Sequence, residues 1–307
     1  MKLIILFILF LIFLTSCLKM DDFLYNPNVH PIDNYSLHNY KGEVDFRLSD
    51  SLKIADSMQH LFTIYSNLNG DIKRIYALYI GDIQRIATDT VILYCHGNKN
   101  HLDFYYPRIQ LLSLTGWKHR FGVMSFDYRG YGLSEGKPSE EGLYADTEAA
   151  IKWLKEKGLT DDRLIIYGFS MGTAPATELS ANWRHLKPAK LILEAPFASA
   201  EVFFQDAVGL ALPGSYVMNL KIDNAKEIQK IQQPFLWIHG TNDNFISIKT
   251  HGEVVFRNYK GIKKYGLRVS GANHSDIQPI LGFEKYNKII EQFIVGNLNY
   301  DNLIKAE

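Results

Sequence analysis

The stretch IIYGFSMGT, residues 165–173, places Ser170 between Gly168 and Gly172 directly after an apolar run. A serine hydroxyl is a poor nucleophile at neutral pH unless an imidazole accepts its proton during attack, and the imidazole needs a carboxylate to fix its tautomer and stabilise its charged form. Both partners stand downstream, Asp243 in HGTNDNFI and His274 in GANHSDI. Together the three would perform acyl transfer: Ser170 attacks, His274 carries the proton and Asp243 orients His274. Gly168 and Gly172 lack a Cβ and so permit a tight strand-to-helix reversal around the serine. A G-x-S-x-G string alone also fits an ordinary polar residue at a strand end, so the elements that position the three residues decide between the two readings.

Those elements alternate short apolar runs with helical patterns, the signature of a mostly parallel sheet covered on both faces. The runs VILYCHG, FGVMSFDY, RLIIYGFS, LILEAPF, PFLWIHG and YGLRVSG are nearly continuous in apolar residues, as strands buried on both faces require. Before them, LFTIYS and KRIYALYI bracket Asn69-Gly70 and read as an antiparallel hairpin. Helical spacing marks YADTEAAIKWLKEKG, which stops at Gly158, a segment from Met171 to Trp183, and a final helix over about Gln278 to Gly296. Ser170, Asp243 and His274 each follow one of the parallel runs, so all three are expected at the carboxyl edge of the sheet, where α/β active sites form.

Composition excludes some alternatives. Of 307 residues, 47% are hydrophobic and 21% charged, and 33 basic side chains balance 33 acidic ones. No basic field is available for nucleic acid. The amino terminus departs from this pattern. MKLIILFILFLIFLTSC carries Lys2, an apolar run from Leu3 to Leu14 and small residues before Cys17, which reads as an export signal over 1–16, too short to span a bilayer. Leu14-Thr15-Ser16-Cys17 resembles the lipobox of bacterial lipoproteins, which implies lipidation of Cys17 and anchoring to a membrane of the cell envelope, the outer one in a Gram-negative cell because Leu18 follows the cysteine. A signal cut elsewhere, or an uncleaved anchor, is the alternative. Residues 17–49, rich in Asn, Asp, Tyr and Pro, read as a tether, 50–298 as the folded domain and 299–307 as a tail. With Cys17 assigned to lipid, Cys95 has no disulfide partner and reads as a small buried side chain.

The ordered set HGN, DYRGYGLSEG, GFSMG, HGTND and HSD resembles the α/β-hydrolase superfamily over about 46–295, within it the compact esterases and the depalmitoylating acyl-protein thioesterases. The resemblance implies a mostly parallel central sheet with helices on both faces, a short cap at 196–231 bordering an open, partly apolar cleft, with a plain connecting helix as the alternative, and the chain order Ser, Asp or Glu, His. It further implies an oxyanion hole built from the backbone N–H groups of Asn98 and Met171, the Asn98 side chain mattering less than the path of its loop. The implied substrate is a small-molecule or acyl-protein ester or thioester, cleaved with no cofactor and no metal. A peptidase or amidase of the same fold, and a non-catalytic binding module, are the alternatives.

Asp127 and Arg129 are expected to fix their loop, His96 to pack beneath the HGN loop, and Asp276 to cap the last helix. Glu194 is a secondary candidate for the acid. A metal set from His96, His101 and Asp103 is disfavoured because the oxyanion loop occupies the same place. GLSEGKPS misses a phosphate loop, with Tyr131 where glycine is needed and Pro138 after Lys137. Asn273 stands where glycine is frequent before the base, which puts the local loop shape in question.

Overall fold

The computed structural model describes residues 25–27, 29–40, 42, 46, 48–116, 121–209, 219–299 and 303. The export signal, Cys17 and most of the tail at 299–307 lie outside these residues. A hairpin of β1 (Gln59–Leu68) and β2 (Asp71–Ile80) leads into β3 (Thr90–Cys95), β4 (Phe121–Phe126), β5 (Leu164–Phe169), β6 (Lys190–Glu194), β7 (Phe235–Gly240) and β8 (Lys264–Val269). The sheet order is β1-β2-β4-β3-β5-β6-β7-β8. The hairpin and the β2–β4 pair are antiparallel. All the other pairs are parallel. The hairpin turn needs two left-handed residues, supplied by Asn69 (φ 52°) and Gly70 (φ 91°).

Strands β3 to β7 are buried on both faces because helices cover both, whereas the edge strand β8 fully buries only alternate residues. On one side α2 (Glu140–Glu156) and α3 (Thr173–Ala181) seat Leu143, Ile151, Leu154 and Leu179 on the sheet. On the other, α1 (Leu102–Ser113) and α8 (Phe283–Val295) contribute Leu102, Tyr106, Ile109, Ile289 and Phe293. The mostly parallel α/β plan read from the strand pattern is the observed one.

Two elements differ from the sequence reading. The final helix is split into α7 (Ile277–Leu281) and α8, because Gly282 lies at φ 90°, ψ 129°, which no helix accommodates. Asp276 precedes α7 without capping it through its side chain. Its Oδ1 accepts instead from the Asn273 N–H at 2.6 Å and tightens the loop that carries His274.

The tether reading of 17–49 also changes. Its described residues pack against the domain as a strap, drawn there by a buried carboxylate. Asp103 on α1 is fully buried and accepts from the N–H groups of Ser36 (2.6 Å) and Leu37 (2.8 Å). Tyr35 donates to Asp127 Oδ2 at 2.5 Å and accepts from the Leu133 N–H at 3.0 Å. Phe46 is buried against Phe283, with the Arg108 guanidinium 4.9 Å from its ring centre. A polar, Pro-containing segment looks like a linker in sequence because its anchoring is done by backbone N–H groups and isolated aromatics rather than by an apolar period.

After β6 the chain turns at Ala198, whose N–H donates to His251 Nδ1 at 3.0 Å. His251 is fully buried, and burial pushes its imidazole down to about 4. The unfolded chain binds a proton at this residue below about pH 6.5, and the folded chain does so only near pH 4. Stability is therefore lost as pH falls across that window, by up to about 3 kcal/mol at its lower end. His251→Asn, which keeps an acceptor near the Ala198 N–H, should flatten the fall in Tm between pH 7 and pH 4, measured by calorimetry.

Candidate active site

The carboxyl ends of β5, β7 and β8 lie on one edge of the parallel sheet and bring Ser170, Asp243 and His274 together. Ser170 opens a tight turn from β5 into α3 at φ 52°, a left-handed conformation that a serine adopts at a cost of about 1–3 kcal/mol. The neighbouring glycines serve this turn by their missing side chains. A Cβ on Gly172 would stand 2.0 Å from the Cys95 carbonyl oxygen, and one on Gly168 would stand 2.6 Å from the Gly172 carbonyl oxygen. The left-handed residue is the serine itself.

His274 Nε2 lies 2.9 Å from Ser170 Oγ and its Nδ1 lies 2.8 Å from Asp243 Oδ2. The carboxylate accepts at Nδ1, which assigns the proton to that nitrogen and leaves Nε2 to accept from the serine hydroxyl. The ring is held between Phe169, 5.3 Å away, and the edge-on Phe245, 5.0 Å away.

Asp243 is the most heavily bonded group of the site. Oδ1 accepts from the N–H groups of Phe245 (2.9 Å) and Ile246 (2.8 Å). Oδ2 receives His274 and also lies 3.1 Å from His239 Nε2. Trp237 Nε1 donates to His239 Nδ1 at 3.3 Å, so the His239 proton resides on Nε2 and points at Asp243 and at the Ile246 carbonyl, 2.9 Å away. Burial alone would raise the Asp243 carboxyl, but the hydrogen bonds from His239 and His274, the His274 charge and the Ile246 N–H hold it well below the usual carboxylate range. These donors favour the ionised carboxylate at neutral pH.

The loop after β3 runs past the serine, and Asn98 and Ser170 line one cavity of about 740 Å³. The Asn98 side chain is a structural hub, in contrast to the minor role expected of it. Its Oδ1 accepts from the N–H of Asn26 (2.9 Å), the N–H of Lys99 (2.8 Å) and the Tyr131 hydroxyl (2.6 Å). The Tyr131 hydroxyl also lies 3.5 Å from Met171 Sδ, so one side chain touches both residues whose amides are expected to hold an oxyanion. Beneath the loop His96 is fully buried, 4.6 Å from the Tyr128 ring and 5.0 Å from the Tyr105 ring, with Nε2 3.2 Å from Asp127 Oδ1. Arg129 pairs with the buried Asp146 at 2.8 Å. His101 and Asp103 are bonded to the strap through His30 O and the Ser36 and Leu37 amides. Burial raises the Cys95 thiol to about 12.

Glu194 lies apart from the triad geometry, in a buried network with Arg108. Arg108 Nη1 donates to Glu194 Oε1 at 3.0 Å, and its Nη2 donates to the Ser275 carbonyl at 2.6 Å, next to His274. Gln278 donates to Glu194 Oε2 at 2.7 Å, and Tyr167 donates to the same oxygen. Arg108 stacks over Phe169 at 4.3 Å. The network ties α1, the end of β6 and the histidine loop into one unit. Asn273 adds a second tie, accepting at Oδ1 from the Asn244 N–H (3.1 Å) and the His274 N–H (2.8 Å), so the departure from glycine joins the acid loop to the base loop.

Sequence reasoning did not find His239, Arg108, Tyr131 or the strap. His239 had one signal, the repeated HG that ends both VILYCHG and PFLWIHG. Of the cap at 196–231, the described residues line no part of the cavity, and α4 (Ala200–Val208) meets the Asp243 loop through Phe203, whose ring lies 5.5 Å from that of Phe245, and through Ala200 and Phe204, which share an apolar cluster with Ile246. A second depression of about 800 Å³, bordered by Gly81, Phe121 and Phe283, lies at the opposite sheet edge, away from these residues.

An eight-stranded, mostly parallel sheet with a serine on a left-handed elbow and histidine and aspartate at neighbouring strand ends defines an α/β-hydrolase. A family model described as serine aminopeptidase, S33, matches residues 87–226. The chain is 34% identical over 214 residues to human alpha/beta hydrolase domain-containing protein 17B, covering 67% of each chain. To the 17C protein of Xenopus tropicalis it is 34% identical over 213 residues, covering 67% of this chain and 62% of that one. The Pyrococcus furiosus esterase Pf2001 shares the fold at a TM-score of 0.63 and 19% identity, over 87% of this chain and 99% of that one. Est1E of Butyrivibrio proteoclasticus with ferulic acid bound shares it at 0.58 and 17%, over 76% and 98%. The chain belongs to the α/β-hydrolase family.

The Arg108–Glu194 pair makes a separable prediction. Arg108→Met leaves the Glu194 charge buried and uncompensated and should destabilise the protein by about 3–5 kcal/mol. Adding Glu194→Gln should recover most of that loss, read as the midpoint of denaturant unfolding followed by fluorescence.

Proposed function

We propose that this α/β-hydrolase is a serine hydrolase that cleaves carboxylic esters or thioesters through an acyl-enzyme. The observation that carries the reading is the continuous relay from Ser170 Oγ to His274 (2.9 Å) and from His274 to Asp243 (2.8 Å). Ser170 Oγ attacks the acyl carbon as its proton passes to His274 Nε2. The carbonyl electrons move onto oxygen, where the backbone N–H groups of Met171 and Asn98 receive the charge. Collapse expels the alcohol or thiol, protonated by His274, and water repeats the sequence to release the acid. Asp243, ionised throughout, holds the imidazole tautomer and stabilises the imidazolium. The ordered motifs that resemble those of depalmitoylating thioesterases favour the thioesterase-like branch, with an acyl-protein or small acyl compound as substrate.

The serine aminopeptidase description of the matching family model supports a second reading, cleavage of an amide. Comparing nitrophenyl esters, acyl thioesters and aminoacyl nitroanilides on the purified full chain in detergent separates them. A fluorophosphonate probe should label the wild-type protein and not Ser170→Ala, and Asp243→Asn should lower kcat about 10⁴-fold with KM little changed. No label on the wild type would reduce the protein to a binding module.

We also propose that Cys17 is the lipidated amino terminus of the mature protein and holds it at a membrane of the cell envelope. Seven residues lie between Cys17 and Tyr25, where the described chain begins, so the two are at most about 28 Å apart along extended backbone. The site would then work close to the lipid surface. Mass spectrometry of the mature protein should find a diacylglyceryl-modified Cys17, and Cys17→Ser should move the protein from the membrane fraction to the soluble one.

A further inference from the structure

The cavity in front of Ser170 has a wall that does not belong to the cap. His30, Tyr40 and Phe46 of the strap line it together with Phe104, Tyr105 and Phe169. These rings form a continuous path. His30 stacks on Phe104 at 6.0 Å, Phe104 meets Tyr105 at 5.2 Å, Tyr105 meets Phe169 at 6.3 Å, and Phe169 meets the catalytic imidazole at 5.3 Å. Tyr40 sets its ring edge-on against His101 at 5.2 Å. The amide-bearing side chains of the lining, Asn98, Asn100, Asn244 and Asn273, come from the loop after β3 and from the acid and base loops, and not from the strap.

We infer that the amino-terminal strap is the specificity-determining wall for the acyl chain, latched in place by Asp103. This inference rests on the serine hydrolase reading and names the part of the substrate that the strap contacts. A hydrocarbon chain leaving the acyl carbon at Ser170 meets the rings of Phe169 and Tyr105 first and those of Phe104, His30 and Tyr40 further out, so short acyl groups end before the strap and long ones reach it. A cavity of about 740 Å³ holds a long chain without displacing protein, and the contacts reward length instead of excluding it. The latch is chemically specific. The Asp103 carboxylate is buried, and the Ser36 and Leu37 N–H groups are the strap's contribution to satisfying it, with the Tyr35 hydroxyl on Asp127 as a second point of attachment. Loss of the latch would move the rings away from the cavity without touching Ser170, His274 or Asp243.

The test compares kcat/KM on nitrophenyl acetate and nitrophenyl dodecanoate, so that the leaving group is constant and only the acyl chain varies. The full-length protein in detergent is assayed as wild type, His30→Ala/Tyr40→Ala, Asp103→Asn and Tyr40→Phe. The dodecanoate-to-acetate ratio should fall about tenfold in the double variant, with the change carried by KM. Asp103→Asn should move the ratio in the same direction, and Tyr40→Phe should retain it. An unchanged ratio, or an equal loss on both esters, would overturn the inference and leave the strap a purely structural role. Fluorophosphonate labelling of the same samples distinguishes this failure from failure of the hydrolase reading: a His30→Ala/Tyr40→Ala double variant that labels like the wild type yet keeps its ratio refutes the wall alone, and an unlabelled wild type refutes the catalysis together with the wall.

Discussion

The Asp243 carboxylate is the constraint on which the site depends. A buried anion is tolerated only when its lone pairs are occupied, and four groups occupy these: two backbone amides of its own loop, His239 from β7 and His274 from the loop after β8. Because two of the four donors are histidines with assigned tautomers, the carboxylate orders a chain of rings from Trp237 to His274. The serine stands at the end of that chain. Its hydroxyl meets an imidazole nitrogen already left free to accept, which is the preorganisation a proton transfer in the transition state requires.

A second layer holds this arrangement without entering it. The Arg108–Glu194 pair beneath the sheet edge, the Asn273 amide between the acid and base loops, and Asp276 folded back on Asn273 each shorten the freedom of the His274 loop. On the other side of the serine, Tyr131 and the Asn98 side chain do the same for the loop after β3. Buried polar groups that are fully partnered in this way lend rigidity at little net energetic gain, since each ion pair or hydrogen bond mostly repays its own desolvation. Precision at the serine is what they supply, and the strained φ of Ser170 persists because its surroundings leave no relaxed alternative.

The strap alters the picture of the protein's amino-terminal third. It follows the region proposed to carry the lipid, and at Asn26 its backbone N–H bonds the Asn98 side chain in the loop proposed to hold the oxyanion. Membrane attachment and substrate selection would then be properties of one segment, and a change in either would be felt by the other.

Much of the fold was legible in the sequence because strands buried on both faces must be apolar throughout, and because Asn69-Gly70 and the elbow glycines mark turns that few other residues permit. The order of Ser170, Asp243 and His274 followed from the same strand ends. What could not be read locally were the partners brought together across long separations. Arg108 meets Glu194 and Ser275, Asp103 meets Ser36 and Leu37, and Asn98 meets Asn26 and Tyr131. Such contacts leave no period and no motif, since any buried polar group needs a donor or acceptor and the chain does not declare which distant one will arrive. The sequence by itself determined the sheet, the elbow and the types of residue at its edge. Only the tertiary structure decided how those residues are held and which segment walls the cavity, because packing and hydrogen-bond satisfaction are settled in three dimensions.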